Sequence, residues 1–248
     1  MYRTSLFALL GLSLAISGCA TLPNGKPDPR DRFERANRSV YKFNTALDHA
    51  VLRPTARAYI KLPQVLRTGI NNFFTNFAYP TTVVNDLFQG KLKDSLTDSA
   101  RIVVNTTLGI GGLFDPASGM GLERHTQDFG LTLGHWGVPT GPFIELPFLG
   151  PSDVRDALGL VPDYAITYEI SHELINNDWA SAGMFVLSQI DRRSQLLDLD
   201  KIVDQAYDPY AFTRNAYLQR RDYLVHGDQS AADDFPDAQL DDDKSSKP

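Results

Sequence analysis

Cysteine is almost absent from this chain. Cys19 is the only one among 248 residues, so no disulfide can form within a single copy, and stability has to come from packing or from the surroundings. Strand-like alternation is scarce too, which argues against a sandwich or barrel. Beyond the amino-terminal segment no run matches the ~20 apolar residues of a spanning helix. The longest charge-free stretches there are Thr68–Asn85 and Phe129–Ile144. The first holds four Asn and a Pro, and the second four Gly and two Pro. Catalytic signatures are also missing. There is no G-x-S-x-G nucleophile elbow. The five histidines (His49, His125, His135, His172 and His226) form no i, i+4 pair and no H-E-x-x-H, which leaves a metal site unsupported. Gly109-Ile110-Gly111-Gly112-Leu113-Phe114 lacks the last glycine of a dinucleotide loop and the Gly-Lys-Ser/Thr of a phosphate loop, and reads as a helix hinge. His125 with Asp128 is the closest acid–base pairing, and surface hydrogen bonding accounts for it. Asp94, Asp98 and Arg101 have the spacing of ion pairs along one helix. No enzyme activity, cofactor, metal or nucleic-acid partner is expected.

What is present begins with residues 1–18. One basic residue, Arg3, precedes an apolar stretch from Leu6 to Ile16, and Ile16-Ser17-Gly18-Cys19 follows. A charged start, an apolar middle and small residues at the cut are the layout of a secretory signal. A thiol directly at the cut resembles a bacterial lipobox, which makes Cys19 the expected lipidation site. Residues 19–28 then read as a polar tether. Charge is unevenly spread. Residues 228–248 carry seven Asp and two Lys and read as a disordered acidic tail. Residues 26–67 hold ten Lys or Arg against four Asp or Glu. That basic excess, with Arg35, Arg38 and Lys42 on one helical face, suits lipid phosphates. It also suits an ordinary solvated face.

Between these ends the pattern is helical. Asp28-Pro29 offers an N-cap and N1 proline, and Phe33, Ala36, Val40, Phe43, Leu47 and Ala50 make an apolar stripe as far as Arg53-Pro54. A second helix is expected from Pro63 to Tyr79-Pro80 on Leu66, Ile70, Phe73 and Phe77. A third covers Thr81–Gln89. A fourth covers Lys91–Leu108, with Leu92, Leu96, Ser99 and Val103 inward. After these, residues 109–159 hold 11 of 18 glycines and five prolines together with Phe114, Phe129, Trp136, Phe143 and Phe148. This irregular stretch is apolar where a solvent loop is usually polar. Composition leaves two readings open, a wall at membrane depth or a buried turn cluster. Helices resume over Ser152–Leu158 (stopped by Gly159), Asp163–Asn176, Ser181–Arg193, Leu196–Ala206 and Asp208–Gly227. The expected fold is all-α, a single domain of short amphipathic helices over residues 29–227.

Ordered matches along residues 28–225 resemble the MlaA/VacJ family of outer-membrane lipoproteins. They include Asn37-Arg38, Phe43-Asn44, Arg53-Pro54, Val84-Asn85-Asp86, Arg101, Asn105-Thr106-Thr107 and Gly109-x-Gly111-Gly112. The strongest run is Phe129-Gly130, Thr132-Leu133-Gly134, Trp136-Gly137-Val138, Gly141-Pro142, Leu146-Pro147, Gly150 and Arg155-Asp156. Ala36 departs from the pattern, standing where the family usually places an aromatic. The resemblance implies a ring-shaped helical protein in the inner leaflet of the outer membrane. Through its amphipathic channel, mislocalised phospholipids leave the outer leaflet for a periplasmic lipid-binding shuttle, with trimeric porins holding the ring. Candidate channel or lipid-contact residues are Gly109, Gly111, Gly112, Phe129, Trp136, Phe143, Leu146 and Phe148. Arg35, Arg38 and Lys42 are the candidate headgroup-proximal cations. Two rivals are a membrane-anchored lipid-degrading enzyme, which the missing elbow disfavours, and a structural lipoprotein that only scaffolds porins or envelope assembly.

Overall fold

The computed structural model describes residues 28–175 and 177–227. Cys19, most of the tether and the acidic tail lie outside them. The first helix, α1, is Glu34–Leu47. A π turn over Asp48–Leu52 leads into α2 (Arg53–Tyr59). Then come α3 (Gln64–Phe88), α4 (Leu92–Thr107), the single turn α5 (Pro116–Gly119) and α6 (Phe129–His135). A hairpin follows, β1 (Phe143–Leu146) and β2 (Gly150–Asp153), antiparallel with Phe143 opposite Asp153 and Leu146 opposite Gly150. The chain ends in α7 (Val154–Ile175), α8 (Asp178–Gln195), a 3₁₀ turn Leu197–Leu199, α9 (Asp200–Gln205) and α10 (Pro209–His226). The helical expectation holds, with the hairpin as its one extended element among the described residues.

Burial is inverted. Among the described residues seven hydrophobic side chains are buried against twenty-two polar or charged ones, while thirty-five large apolar side chains are exposed. In α4 the residues facing inward are Ser95, Asp98, Arg101 and Asn105. Leu92, Leu96 and Val103, expected inside, are 63%, 71% and 61% exposed. The helix is where periodicity placed it, but it is turned about half a revolution. Phe43, Leu66, Leu87 and Phe88 are likewise exposed. Apolar stripes point inward only where water is the solvent outside. In hydrocarbon a leucine gains nothing by leaving the surface, and polar groups must find partners within the protein.

Those partners are specific. The Arg101 side chain is fully buried. It donates to the Tyr79 hydroxyl at 2.6 Å, to both Asp115 oxygens at 2.8 Å, to Ser118 Oγ at 3.1 Å and to the Leu122 carbonyl. One side chain thus joins α3, α4 and the irregular segment, and the intrahelical pair suggested by spacing does not form. Burial pushes the Asp115 carboxyl up, but bonds from Ser118 and Asn105 and the Arg101 charge hold it down at about 2. Asp28 does not cap α1 as expected. Its carboxylate accepts from Arg30 N at 2.9 Å and pairs with Arg214 at 3.1 Å, so the helix starts at Glu34. Asp31, also fully buried, takes Tyr210 at 2.5 Å, Arg214 at 2.8 Å and Asn37 at 2.8 Å.

Two expected breaks are absent. The second and third expected helices are one helix, α3, running through Pro80. Ser152–Leu158 and Asp163–Asn176 likewise fuse into α7 through Gly159 and Pro162. A helical proline forfeits one backbone bond and clashes with the preceding turn, a penalty the packing around these helices absorbs. Gly159 is needed for proximity, because a Cβ there would sit 2.5 Å from Gly130 N on α6. At the other end the terminus behaves as expected. Asp208 caps α10 by accepting from Ala211 N at 3.2 Å, and Gly227 stops it at φ 65°.

The inversion makes opposite forecasts for two neighbours on α4. Leu96→Ala should change unfolding in detergent by no more than roughly 0.5 kcal/mol, because most of that side chain packs against no protein. Arg101→Ala should destabilise by roughly 3–5 kcal/mol, because Asp115 loses its buried counter-charge. Thermal unfolding followed by circular dichroism would separate them, and equal effects would contradict the burial pattern.

Candidate functional site

A cavity of about 620 Å³ opens between α3, α7 and α8. That lies within the roughly 300–1,000 Å³ of ordinary ligand sites. Its wall has two characters. Phe74, Phe77 and Ala78 of α3, Leu160 of α7, and Met184 and Phe185 of α8 are apolar. Asn71, Thr75, Thr82, Asp163, Thr167, Ser171, Ser181, Ser188, Gln189, Asp191 and Arg192 are polar, with Tyr164 and Tyr168 between the two kinds and His125 and Thr126 at one side.

Two carboxylates fix this wall. Asp191 on α8 is buried and accepts from the Tyr59 hydroxyl at 2.8 Å, Asn71 Nδ2 at 2.9 Å and Gln195 Nε2 at 3.0 Å, tying α2, α3 and α8 together. Burial and the Asp191 carboxylate push the Tyr59 hydroxyl well above its ordinary range. Asp163 on α7 accepts from Phe129 N at 2.9 Å and Asn85 Nδ2 at 3.0 Å, linking α7 to α6 and α3. Its carboxyl is raised, mainly by burial. Several hydroxyls are turned onto their own helices. Thr167 Oγ1 donates to Asp163 O at 2.9 Å, Ser171 Oγ to Tyr168 O at 2.8 Å and Ser188 Oγ to Phe185 O at 2.7 Å. The wall therefore offers an amphiphile both apolar contacts and polar groups, and its two carboxylates already hold hydrogen-bond donors.

A second cluster lies beside the cavity. Asp86 and Asp98 are fully buried, and neither oxygen of Asp86 finds a donor. His125, a cavity residue, sits with Nδ1 3.1 Å from Asp98 Oδ2, not paired with Asp128. Asp128 instead caps α6 and binds Arg221 at 2.6 and 2.8 Å. Burial first, then contact with Asp98, pushes the Asp86 carboxyl up to about 7. No metal-binding cluster occurs among the described residues.

The residues singled out from the sequence fall elsewhere. None of the eight lines the cavity. Gly109 and Gly112 are buried and Gly111 exposed in the turn that closes α4, where Gly111 N donates to Thr106 O at 2.9 Å and Gly112 N to Asn105 O at 2.8 Å. Phe129 and Trp136 form an aromatic cluster with Phe88, at centroid distances of 5.9–6.3 Å. Phe143 is fully buried against Tyr210 and Tyr217, Leu146 is half-buried in β1, and Phe148 is 70% exposed at the hairpin tip with its ring on Phe43. Among the basic residues, Arg35 and Lys42 are exposed. Arg38 pairs with Asp208 and Glu34, both at 2.6 Å, and stacks over Tyr210, so it latches α1 to α10. The cavity joins segments over a hundred residues apart and has no local motif. A weak signal was present in polar residues at helical spacing on otherwise apolar helices: Asn71, Thr75 and Thr82, then Asp163, Thr167 and Ser171.

Comparison with known proteins adds an independent line. A family model described as MlaA lipoprotein matches residues 29–224. The "Intermembrane phospholipid transport system lipoprotein MlaA" of Escherichia coli (strain K12) is 37% identical over 238 residues, covering 93% of this chain and 92% of that protein. The protein of the same name from Haemophilus influenzae is 31% identical over 245 residues, covering 94% and 97%. A solved structure described as "Structural basis for maintenance of bacterial outer membrane lipid asymmetry" superposes with a TM-score of 0.68 at 38% identity. It covers 79% of this chain and 98% of its own.

The Asp86 environment sets a pH dependence. An ordinary Asp titrates near 3.8, and folded Asp86 near 7. Between these values the folded state holds a proton that the unfolded state has released, so this contribution to stability falls as pH rises from about 4 to 7 and is flat above. Asp86→Asn removes the titration while keeping the shape. Its unfolding temperature should exceed that of the unsubstituted protein by more at pH 8 than at pH 5. A constant difference would show that the carboxyl is already ionised at pH 5.

Proposed function

The chain belongs to the MlaA lipoprotein family, and from that premise we propose that it is the outer-membrane lipoprotein component of intermembrane phospholipid transport, which maintains lipid asymmetry. It takes mislocalised phospholipid from the outer leaflet through an amphipathic path and passes it to a periplasmic shuttle protein. The carrying observation is a cavity lined by both apolar and polar side chains, inside a protein that buries mostly polar groups and exposes thirty-five large apolar side chains among its described residues. A phospholipid crossing hydrocarbon must take its charged head with it, at a cost no bare bilayer offsets. The polar side chains of the wall shelter the head and its aromatic and aliphatic side chains the acyl chains. On this reading the exposed apolar surface lies in one leaflet. Among the described residues no helix is long and apolar enough to cross a membrane, which fits residence in half a bilayer. Lipidation at Cys19 delivers and holds the domain there. Trimeric porins are the proposed neighbours on the apolar surface, to which Trp136 and Phe148 contribute. Arg35 and Lys42 remain the proposed headgroup-proximal cations, while Arg38 is committed to its latch.

The test is genetic. Deletion of the gene should raise outer-leaflet phospholipid, measured by acylation of surface lipid A or by lipid extraction. The unsubstituted gene should restore the low level, and Cys19→Ala should not. Ser188→Trp, which fills the cavity, should leave the protein membrane-bound yet fail to restore asymmetry. Full rescue by Ser188→Trp would remove the cavity from the path, and a deletion without lipid change would favour the scaffolding reading. Phe143 is unsuited to such a test, since a charge at that buried ring would unfold the hairpin.

A further inference from the structure

Near its end α8 carries two consecutive arginines with different surroundings. Arg193 is committed to structure, since its guanidinium reaches Asp48 at 2.6 and 3.0 Å and Asp200 at 2.6 Å. One residue is about 100° of helix, so its neighbour looks elsewhere. Arg192 lines the cavity, is exposed, and has no ion-pair partner among the described residues. It is also the only arginine or lysine in the cavity wall. The rest of the polar wall is largely engaged. Asp191 and Asp163 accept from amides, a phenol and a backbone N–H, and Thr167, Ser171 and Ser188 donate to their own helices. His125 is engaged through Nδ1 with Asp98. Arg192 is thus the one fixed positive charge with unspent donors in this wall, which also holds two carboxylates, Asp163 and Asp191, whose oxygens are occupied by neutral donors.

We propose that Arg192 is the specificity-determining contact of this cavity, binding the phosphodiester of an acyl-chain lipid and selecting phosphate-bearing amphiphiles over neutral ones. The proposal rests on the reading of the cavity as a lipid path and deepens it. A guanidinium presents a planar fork that matches two phosphate oxygens, and such charge-assisted pairs are about twice as strong as neutral hydrogen bonds. Met184 and Phe185, about two turns earlier on the same helix, line the same cavity and offer the acyl chains an apolar surface. Because Arg192 holds nothing else in place, its loss should spare the fold, whereas loss of Arg193 should not.

The experiment uses the full-length lipoprotein in nanodiscs, with a photoreactive benzoylphenylalanine at Phe185. Phosphatidylglycerol and diacylglycerol are supplied in separate preparations, and captured lipid is measured by mass spectrometry. Arg192→Gln should lower phosphatidylglycerol capture about tenfold, the scale of one charge-assisted contact, and leave diacylglycerol capture unchanged. Arg192→Lys should keep part of the preference, and excess inorganic phosphate should not displace the lipid. Equal phosphatidylglycerol capture by Arg192→Gln overturns the role of Arg192 while leaving the cavity as a lipid path. Displacement by inorganic phosphate shows a free-anion site and overturns the lipid selectivity. Absence of capture by the protein with Arg192 intact overturns both the path and the selectivity.

Discussion

A buried guanidinium or carboxylate without a partner costs several kcal/mol, and this chain hides many of both while twelve of its leucines are exposed. That requirement organises the molecule. Arg101 joins Tyr79, Asp115, Ser118 and Leu122. Arg214 and Tyr210 of α10 close on Asp28 and Asp31 at the other end of the described chain. Arg221 reaches both Asp128 and Asp156. In a water-soluble domain these groups would lie on the surface and the apolar stripes would meet in the middle. The reverse arrangement is stable where the medium outside cannot hydrogen-bond, because there the alternative to a protein partner is no partner at all.

The same networks shape the cavity. Because Asp191 is held from α2, α3 and α8 at once, the floor of the cavity cannot shift without breaking three bonds. Because Asp163 accepts from α3 and from the start of α6, the opposite wall is fixed as well. The hairpin is tied in the same manner. Asn44 donates to Glu145 and to the Leu146 carbonyl and accepts from Phe148 N, which holds Phe148 at its uncommon positive φ of 67°. Structure and site thus share one chemistry, amides and carboxylates satisfying each other out of water.

Much of this was legible in the sequence, and the rest was hidden for physical reasons. Helix positions followed from periodicity, and the ends at Asp208 and Gly227 from cap chemistry. The direction of the faces did not, because the period of Leu92, Leu96 and Val103 is the same whether they meet protein or hydrocarbon. Pro80 and Gly159 read as breaks because local rules cannot see the packing that carries a helix through them. Alternation in Phe143–Leu146 was too short to announce a strand. The Gly-rich segment is irregular and apolar, as its composition implies, but Gly109, Gly112, Gly130, Gly134 and Gly159 serve close packing, Gly111, Gly121, Gly137 and Gly150 serve positive φ, and its aromatics are divided between core and surface. The cavity itself needed the third dimension, since α3, α7 and α8 contribute isolated polar residues that only folding brings together.

The inversion of burial is the central claim, and Trp136 reports on it directly. It is 53% exposed in the Phe88–Phe129–Trp136 cluster. In a Trp179→Phe background it is the only tryptophan left, and its fluorescence can be recorded in bilayers of acyl-chain-brominated phospholipid and, separately, against aqueous acrylamide. The account predicts strong quenching by the brominated chains and little by acrylamide. Strong quenching by acrylamide with none from the brominated chains would place this surface in water and contradict it.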